Sequence, residues 1–313
     1  MKAAGPLIGA QVSGRGAGKS RTAALSIASN CALIALKLAA GAITGSVAII
    51  TEAMHSSVDL IASIVAFVSV RQAEKPADDT HPYGHDKFEN LAAAIEALLI
   101  LVGSGVIVFE SVRRLSTAHT DVGSLGVGIA IIAISVVVNV AVSSRLARRA
   151  RETDSPALEG DAAHLRTDAA TSCAVLVGLI LVQVTGATWL DPVIALVVAV
   201  AIVTAGVRLL MRASRVLVDE ALPPEELDAV RDAIAEFGPR GVCGYHKLRA
   251  RRAGSRRYVD LHVQFRAGTT LEAAHATAHA LQDAIRARLR GADVLIHLEP
   301  EGSVHPGTEI RAR

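Results

Sequence analysis

Six stretches of predominantly apolar residues crowd the front of the chain, near residues 22–43, 46–70, 88–112, 122–145, 161–184 and 189–211. A helix needs about 20 such residues to cross the hydrocarbon core of a bilayer, and a lipid-exposed backbone must satisfy its own hydrogen bonds. The expected fold is therefore a membrane all-α domain of six transmembrane helices over residues 22–212. A flexible cytoplasmic arm over residues 1–21 would precede it. The first run is too long for a secretory h-region and a second follows almost at once, so it reads as a retained span. The fifth run is the least apolar. Its clean part extends only from Ala169 to Val184, so the span must take in the polar stretch beginning near Asp161.

Basic residues orient the spans. Lys2, Arg15, Lys19 and Arg21 precede the first span, and Arg145, Arg148, Arg149 and Arg151 follow the fourth, while residues 41–45 and 185–189 carry none. Arg113 and Arg114 oppose this pattern but are outnumbered. Both termini are expected on the cytoplasmic side of a bacterial-type inner or plasma membrane.

After residue 212 the pattern becomes that of a soluble domain, expected over 213–302 with a tail at 303–313. Pro223-Pro224-Glu225-Glu226 reads as a helix start, with proline in the first turn and acids favoured by the dipole. Strand-like segments at 245–251 and 257–265 flank a turn at Ala253-Gly254-Ser255. A helix near 270–289 and a strand at 294–298 complete the order αββαβ, a small α+β cytoplasmic domain of ferredoxin-like or metallochaperone-like type with helices on one face of the sheet.

Other classes fall away. A net charge of +2, without a basic stripe interleaved with aromatics, gives no case for nucleic acid. Cys31, Cys173 and Cys243 form no CxxC pair, and they read as small buried apolar residues. Gly14-Arg15-Gly16-Ala17-Gly18-Lys19-Ser20 looks superficially like a phosphate loop. It has Ser13 where the first glycine should stand and no strand before it, so a flexible basic tail is expected instead.

An ionisable group within a bilayer costs on the order of 2.5–3.5 kcal/mol and needs a reason. The second span carries Glu52, His55 and Asp59; the fifth carries Asp161, His164 and Asp168. Both triplets read acid-x-x-His-x-x-x-Asp. Residues four apart share a helix face, so each histidine points with its aspartate. Two such helices facing one another converge two imidazoles and two carboxylates, a tetrahedral set of the kind zinc accepts at ~2.0–2.2 Å. Sulfur-free nitrogen and oxygen donors suit Zn2+, Co2+, Mn2+ or Fe2+ better than Cu+. The bland alternative is a pair of His–Asp hydrogen bonds that fix helix packing. Glu52 and Asp161 read as partners that orient the imidazoles, as proton carriers lining a cavity, or as residues of a solvated face.

With the loop Lys75-Pro76-Ala77-Asp78-Asp79-Thr80-His81-Pro82-Tyr83-Gly84-His85, these motifs resemble the cation diffusion facilitator family from the first span to about Pro300. The resemblance implies a homodimer in which each protomer carries metal at His55, Asp59, His164 and Asp168, alternating between inward- and outward-facing states. Well-known bacterial zinc exporters of the family have Asp at the place of His55. Histidine there is the pattern of animal zinc transporters and points away from cadmium. A second family site matches Asp78, His81 and His85, whose plain alternative is a solvated turn. Lys87 matches a lysine that pairs with an acid heading the soluble domain, here Asp219, to interlock the dimer. In the soluble domain His246, His262, His275 and His297 fall on family ligand positions, and Glu299 replaces the family's Asp. His119, His279 and His305 match nothing.

The expected function is efflux of a divalent cation, Zn2+ first and Mn2+, Fe2+ or Co2+ as alternatives, exchanged for protons. A ligand must shed its proton to take metal, and histidine titrates near neutrality. An intramembrane metalloprotease would need HExxH, which the chain lacks. A membrane-anchored metal sensor would bind metal without flux.

Overall fold

The computed structural model describes residues 9–44, 47–117, 125–187 and 189–303. The chain divides into two compact units, Met1–Ser214 and Arg215–Arg313.

Six long helices build the first unit: α1 (Gly9–Thr44), α2 (Val47–Ala73), α3 (Lys87–Thr117), α4 (Leu125–Thr153), α5 (Pro156–Thr185) and α6 (Leu190–Leu217). Among the described residues, four stretches are long and apolar enough to cross a membrane: Gly18–Ala40, Lys87–Arg113, Ile129–Thr153 and Pro192–Leu217. They lie in α1, α3, α4 and α6. The early part of α5 is kept polar by Glu159, Asp161, His164, Arg166 and Asp168, and α2 carries the companion motif.

Polarity in this unit is inverted relative to a water-soluble bundle. Val102, Phe109, Val137, Val197 and Val200 face outward, whereas Ser26, Asn30, Ser63 and Asp161 are buried in one hydrogen-bonded group. Large apolar side chains facing out fit contact with lipid. An inner apolar layer of Ala92, Leu146, Leu158 and Leu165 packs α3, α4 and α5 together. Gly160 lets α3 and α5 approach closely, since a Cβ there would collide with the Glu96 side chain.

The arm expected to be flexible over residues 1–21 is helical from Gly9 onward, because residues 9–21 belong to α1. Tertiary contacts fix its later part: Lys19 is buried with its Nζ 2.9 Å from Glu89 Oε1, and Ser20 Oγ donates to Glu74 at 2.8 Å. The cysteines, expected to be buried, are not. Cys31 and Cys173 are exposed on helix surfaces and Cys243 is half-buried. In a bundle whose outside is apolar, a small apolar residue has no need of the interior.

In the second unit, α7 (Pro224–Ala235) begins after Pro223 with Glu225 and Glu226 in its first turn. Strands β1 (Val242–Ala253) and β2 (Arg256–Phe265) form an antiparallel hairpin. Helix α8 (Leu271–Arg288), capped by the Thr270 side chain accepting from Ala273 N at 3.2 Å, crosses over to β3 (Ala292–Pro300). Strand β3 pairs in parallel with β2, and the order is β1-β2-β3. A parallel pair needs such a crossover. Val259, Leu261, Val263 and Phe265 of β2 alternate into a core with Val230, Ile234, Leu281 and Ile285 of the two helices. Period-two alternation sends Asp260, His262 and Gln264 to the opposite face. Across the hairpin, Glu226 accepts from Arg257 Nε at 3.0 Å and from Arg252 at 2.7 Å.

Candidate metal centres

Among the described residues, histidine and acidic donor atoms lie within 4.8 Å of one another in three places.

The first joins α2 to α5. Asp59 on α2 and His164 on α5 are buried, and Asp168 lies one turn beyond His164. His164 Nε2 is 3.4 Å from Asp59 Oδ1 and 3.9 Å from Asp168 Oδ2. Among the described residues, neither ring nitrogen of His164 has a hydrogen-bond partner. A buried polar group left in that state costs about 1–3 kcal/mol unless something else satisfies it. His55 and Glu52 lie on α2, but their side chains are outside those described. Asp161 is neither on a solvated face nor hydrogen-bonded to His164. It is fully buried, and its Oδ1 accepts from Ser26 Oγ at 3.0 Å and Ser63 Oγ at 3.1 Å. The sequence did not single out those serines; each reads as an ordinary small residue of an apolar helix until the helices are assembled.

The second cluster lies in the turn between α2 and α3. Asp78 Oδ1 accepts from Thr80 Oγ1 at 2.7 Å, Thr80 N at 2.9 Å and His81 N at 2.7 Å. The Thr80 hydroxyl, with the backbone donors, lowers the carboxyl of Asp78 to about 2, so it stays ionised. Its Oδ2 stands 3.3 Å from Nε2 of buried His85, and Oδ1 is 3.5 Å from His81 Nδ1. His85 Nδ1 is 3.2 Å from the Pro76 carbonyl. A carbonyl only accepts, so Nδ1 carries a hydrogen there and Nε2 is the ring nitrogen that faces Asp78.

The third cluster lies on the helix-free face of the sheet. His246 on β1 is the register partner of His262 on β2, and His262 is the partner of His297 on β3, so three imidazoles form one row. Glu299 follows two residues along β3. A bulge begins at His246, where Lys247 takes a positive φ of 50°, and bulges re-aim a side chain. Glu299 lies 2.6 Å from both His246 Nε2 and His262 Nδ1. Burial pushes the Glu299 carboxyl up, but the hydrogen bonds from His262 and His246 and their charge outweigh it, and the group stays below the usual carboxylate range. His297 stands at the margin, exposed, with its Nε2 3.8 Å from Glu299. His275 is on α8 beside His279 and is not in this donor group. The nitrogen and carboxylate donors, with a buried His246 Nδ1 that lacks a partner among the described residues, suit a zinc-type ion.

Lys87 opens α3, and Asp219 lies in the second unit, where it accepts from Arg251 at 3.1 Å. His119 and His305 lie outside the described residues.

Residues 23–218 match the cation efflux transmembrane domain, and residues 222–301 match the cytoplasmic domain of cation efflux proteins. The chain is 38% identical over 279 residues to the uncharacterized transporter sll1263 of Synechocystis, covering 89% of each protein. It is 32% identical over 286 residues to the cation-efflux pump FieF of Salmonella arizonae, covering 90% of this chain and 92% of that one. Among solved structures, the metal-bound C-terminal domain of the CzcD transporter from Thermotoga maritima is 26% identical. It covers 27% of this chain and 100% of its own, with a TM-score of 0.24. The chain thus belongs to the cation efflux family, the cation diffusion facilitators, and is a multi-pass membrane transporter of divalent metal cations.

Proposed function

We propose that the protein exports Zn2+ from the cytoplasm in exchange for protons, as a homodimer whose helices α1–α6 all span the membrane with both termini cytoplasmic. The observation that carries this is the meeting of Asp59 from α2 with His164 and Asp168 from α5, their donor atoms within 4.8 Å. His55, one turn before Asp59 on α2, supplies the fourth ligand by helical spacing. Two nitrogens and two oxygens favour Zn2+, with Mn2+, Fe2+ and Co2+ as the nearest competitors.

The metal is cargo, so the site must release it. Each imidazole accepts either a proton or the ion, never both. When the site faces outward, protons entering down their gradient take the histidine nitrogens and the ion departs. Asp59 and Asp168 then balance the protonated rings in a medium where an isolated charge is costly. Asp161, held by Ser26 and Ser63, anchors α5 to α1 and α2 beside the site and keeps its carboxylate from the ion. Asp78, His81 and His85 form a second ion site in the α2–α3 turn. His246, His262, His297 and Glu299 form a resident site on the sheet that regulates the transporter or stabilises its dimer.

Zinc uptake into inside-out vesicles tests the coupling. An imposed pH gradient, acid inside, should accelerate uptake, and collapsing it should slow uptake. Flux indifferent to the gradient would remove proton exchange from the mechanism.

A further inference from the structure

Lys37 places a positive charge at membrane depth on α1, within the apolar stretch Gly18–Ala40. Only 4% of the residue is exposed, and it shares one face of the helix with the buried Ser26, Asn30 and Leu33. Its Nζ donates to Ser56 Oγ on α2 at 2.6 Å. A hydroxyl accepts one of the ammonium's hydrogens, but it does not neutralise the charge. An ionised group held at this depth is costly and points by default to function.

The place of Ser56 gives that charge a meaning. Ser56 is itself buried; it follows His55 and stands three residues before Asp59. Helical spacing therefore sets the bonded ammonium about one turn from the Asp59 carboxylate. Glu52, four residues before Ser56, lies on the same face of α2 by the same spacing. Lys19, also buried, is committed to Glu89 in the first turn of α3, so Lys37 is the buried lysine that stands beside the transport ligands. Between one ion and the next the carboxylates of Asp59 and Asp168 face each other across His164, and a fixed cation nearby stabilises them. Once a divalent ion is bound, the same cation repels it.

We propose that Lys37 is a fixed counter-cation of the transport site. It balances Asp59 and Asp168 while no ion is bound, and it weakens their hold on the ion once one binds, so that the ion can leave. Lys37 is not a ligand and acts on the ion through its charge. The inference rests on the α2–α5 cluster being the transport site; it does not depend on protons being the exchanged ion.

Zinc titration of the full-length protein in detergent, read by calorimetry at one pH, and initial rates of zinc uptake into vesicles test this. The binding component lost in Asp59→Ala identifies the transport site. Lys37→Met removes the charge and keeps the length of the side chain, whereas Lys37→Gln removes the charge and can still donate to Ser56. Both should bind the ion at that component at least about tenfold more tightly, with KM and the maximal rate lowered together. Lys37→Arg keeps the charge and should stay near the native values. If both uncharged variants bind zinc with native affinity, or more weakly, the charge does not act on the ion and the proposal is overturned. If Lys37→Gln behaves as the native protein while Lys37→Met does not, the hydrogen bond to Ser56 and not the charge is what matters, which overturns it equally. If Asp59→Ala removes no binding component, the α2–α5 site itself is wrong and the inference falls with it.

Discussion

In the sheet of the second unit, Glu299 sits 2.6 Å from both His246 and His262, whereas in the helical unit Asp59 stands 3.4 Å from His164 and Asp168 3.9 Å. The chemistry of the donors is the same; the supports differ. Strand register fixes the histidine row, because each histidine is the direct partner of the next, and neighbouring strands are held at a constant spacing by their ladder. Helices α2 and α5 have no such ladder; their donors come from separate helices, joined beside the site by the Ser63–Asp161 hydrogen bond and close enough to share an ion. A site on a sheet suits an ion that stays, and a site between helices suits one that passes through.

Substitutions separate the two arrangements. The largest effect is expected at the helical site. Asp59→Ala or Asp168→Ala should lower zinc flux by about two orders of magnitude or more, since even outer-shell changes cost 10–100-fold; vesicle uptake measures this. The sheet site rests on its apolar core, so Leu281→Ala, at a fully buried position, should destabilise the second unit by roughly 2–5 kcal/mol. Hydrogen exchange of the β2 amides reads that loss, and zinc flux should fall less than in Asp59→Ala. Glu299→Ala should weaken zinc binding on the sheet by about 10–100-fold, measured by calorimetry, and reduce flux without abolishing it.

The smallest effect is electrostatic. Burial raises the Glu226 carboxyl, but hydrogen bonds and charge from Arg257 and Arg252 hold it below its ordinary value of 4.5. A carboxyl depressed in the folded state stabilises the fold above its unfolded value, and that stabilisation is lost as pH falls through the folded value. Protection of β1 and β2 amides should therefore decline below about pH 4.5, and Glu226→Gln should flatten that decline. A decline of equal steepness in the variant would assign the acid sensitivity to other groups.

Much of this was legible in the residues. The repeated acid-x-x-His-x-x-x-Asp pattern marked α2 and α5 because charge within an apolar run is costly, and the αββαβ order followed from alternation and turn residues. The strands run longer than alternation alone suggested, with β1 from Val242 to Ala253 rather than 245–251. Ladder pairing continues past the alternating stretch. What the sequence hid depends on assembly. Lys19 and Ser20 looked like a solvated basic tail until Glu89 and Glu74 came within reach. Ser26 and Ser63 showed no signal before both met Asp161. Whether His275 lay with the sheet or with His279 depended on which way α8 turned, and helical spacing alone does not set that.

Anomalous scattering at the zinc edge, from crystals of the full-length protein grown with Zn2+, tests most directly whether α2 and α5 hold the transported ion. A peak bounded by Asp59, His164 and Asp168, with His55 completing the set, is the expected result. Zinc found elsewhere in the helical unit, with those side chains turned apart, would contradict it.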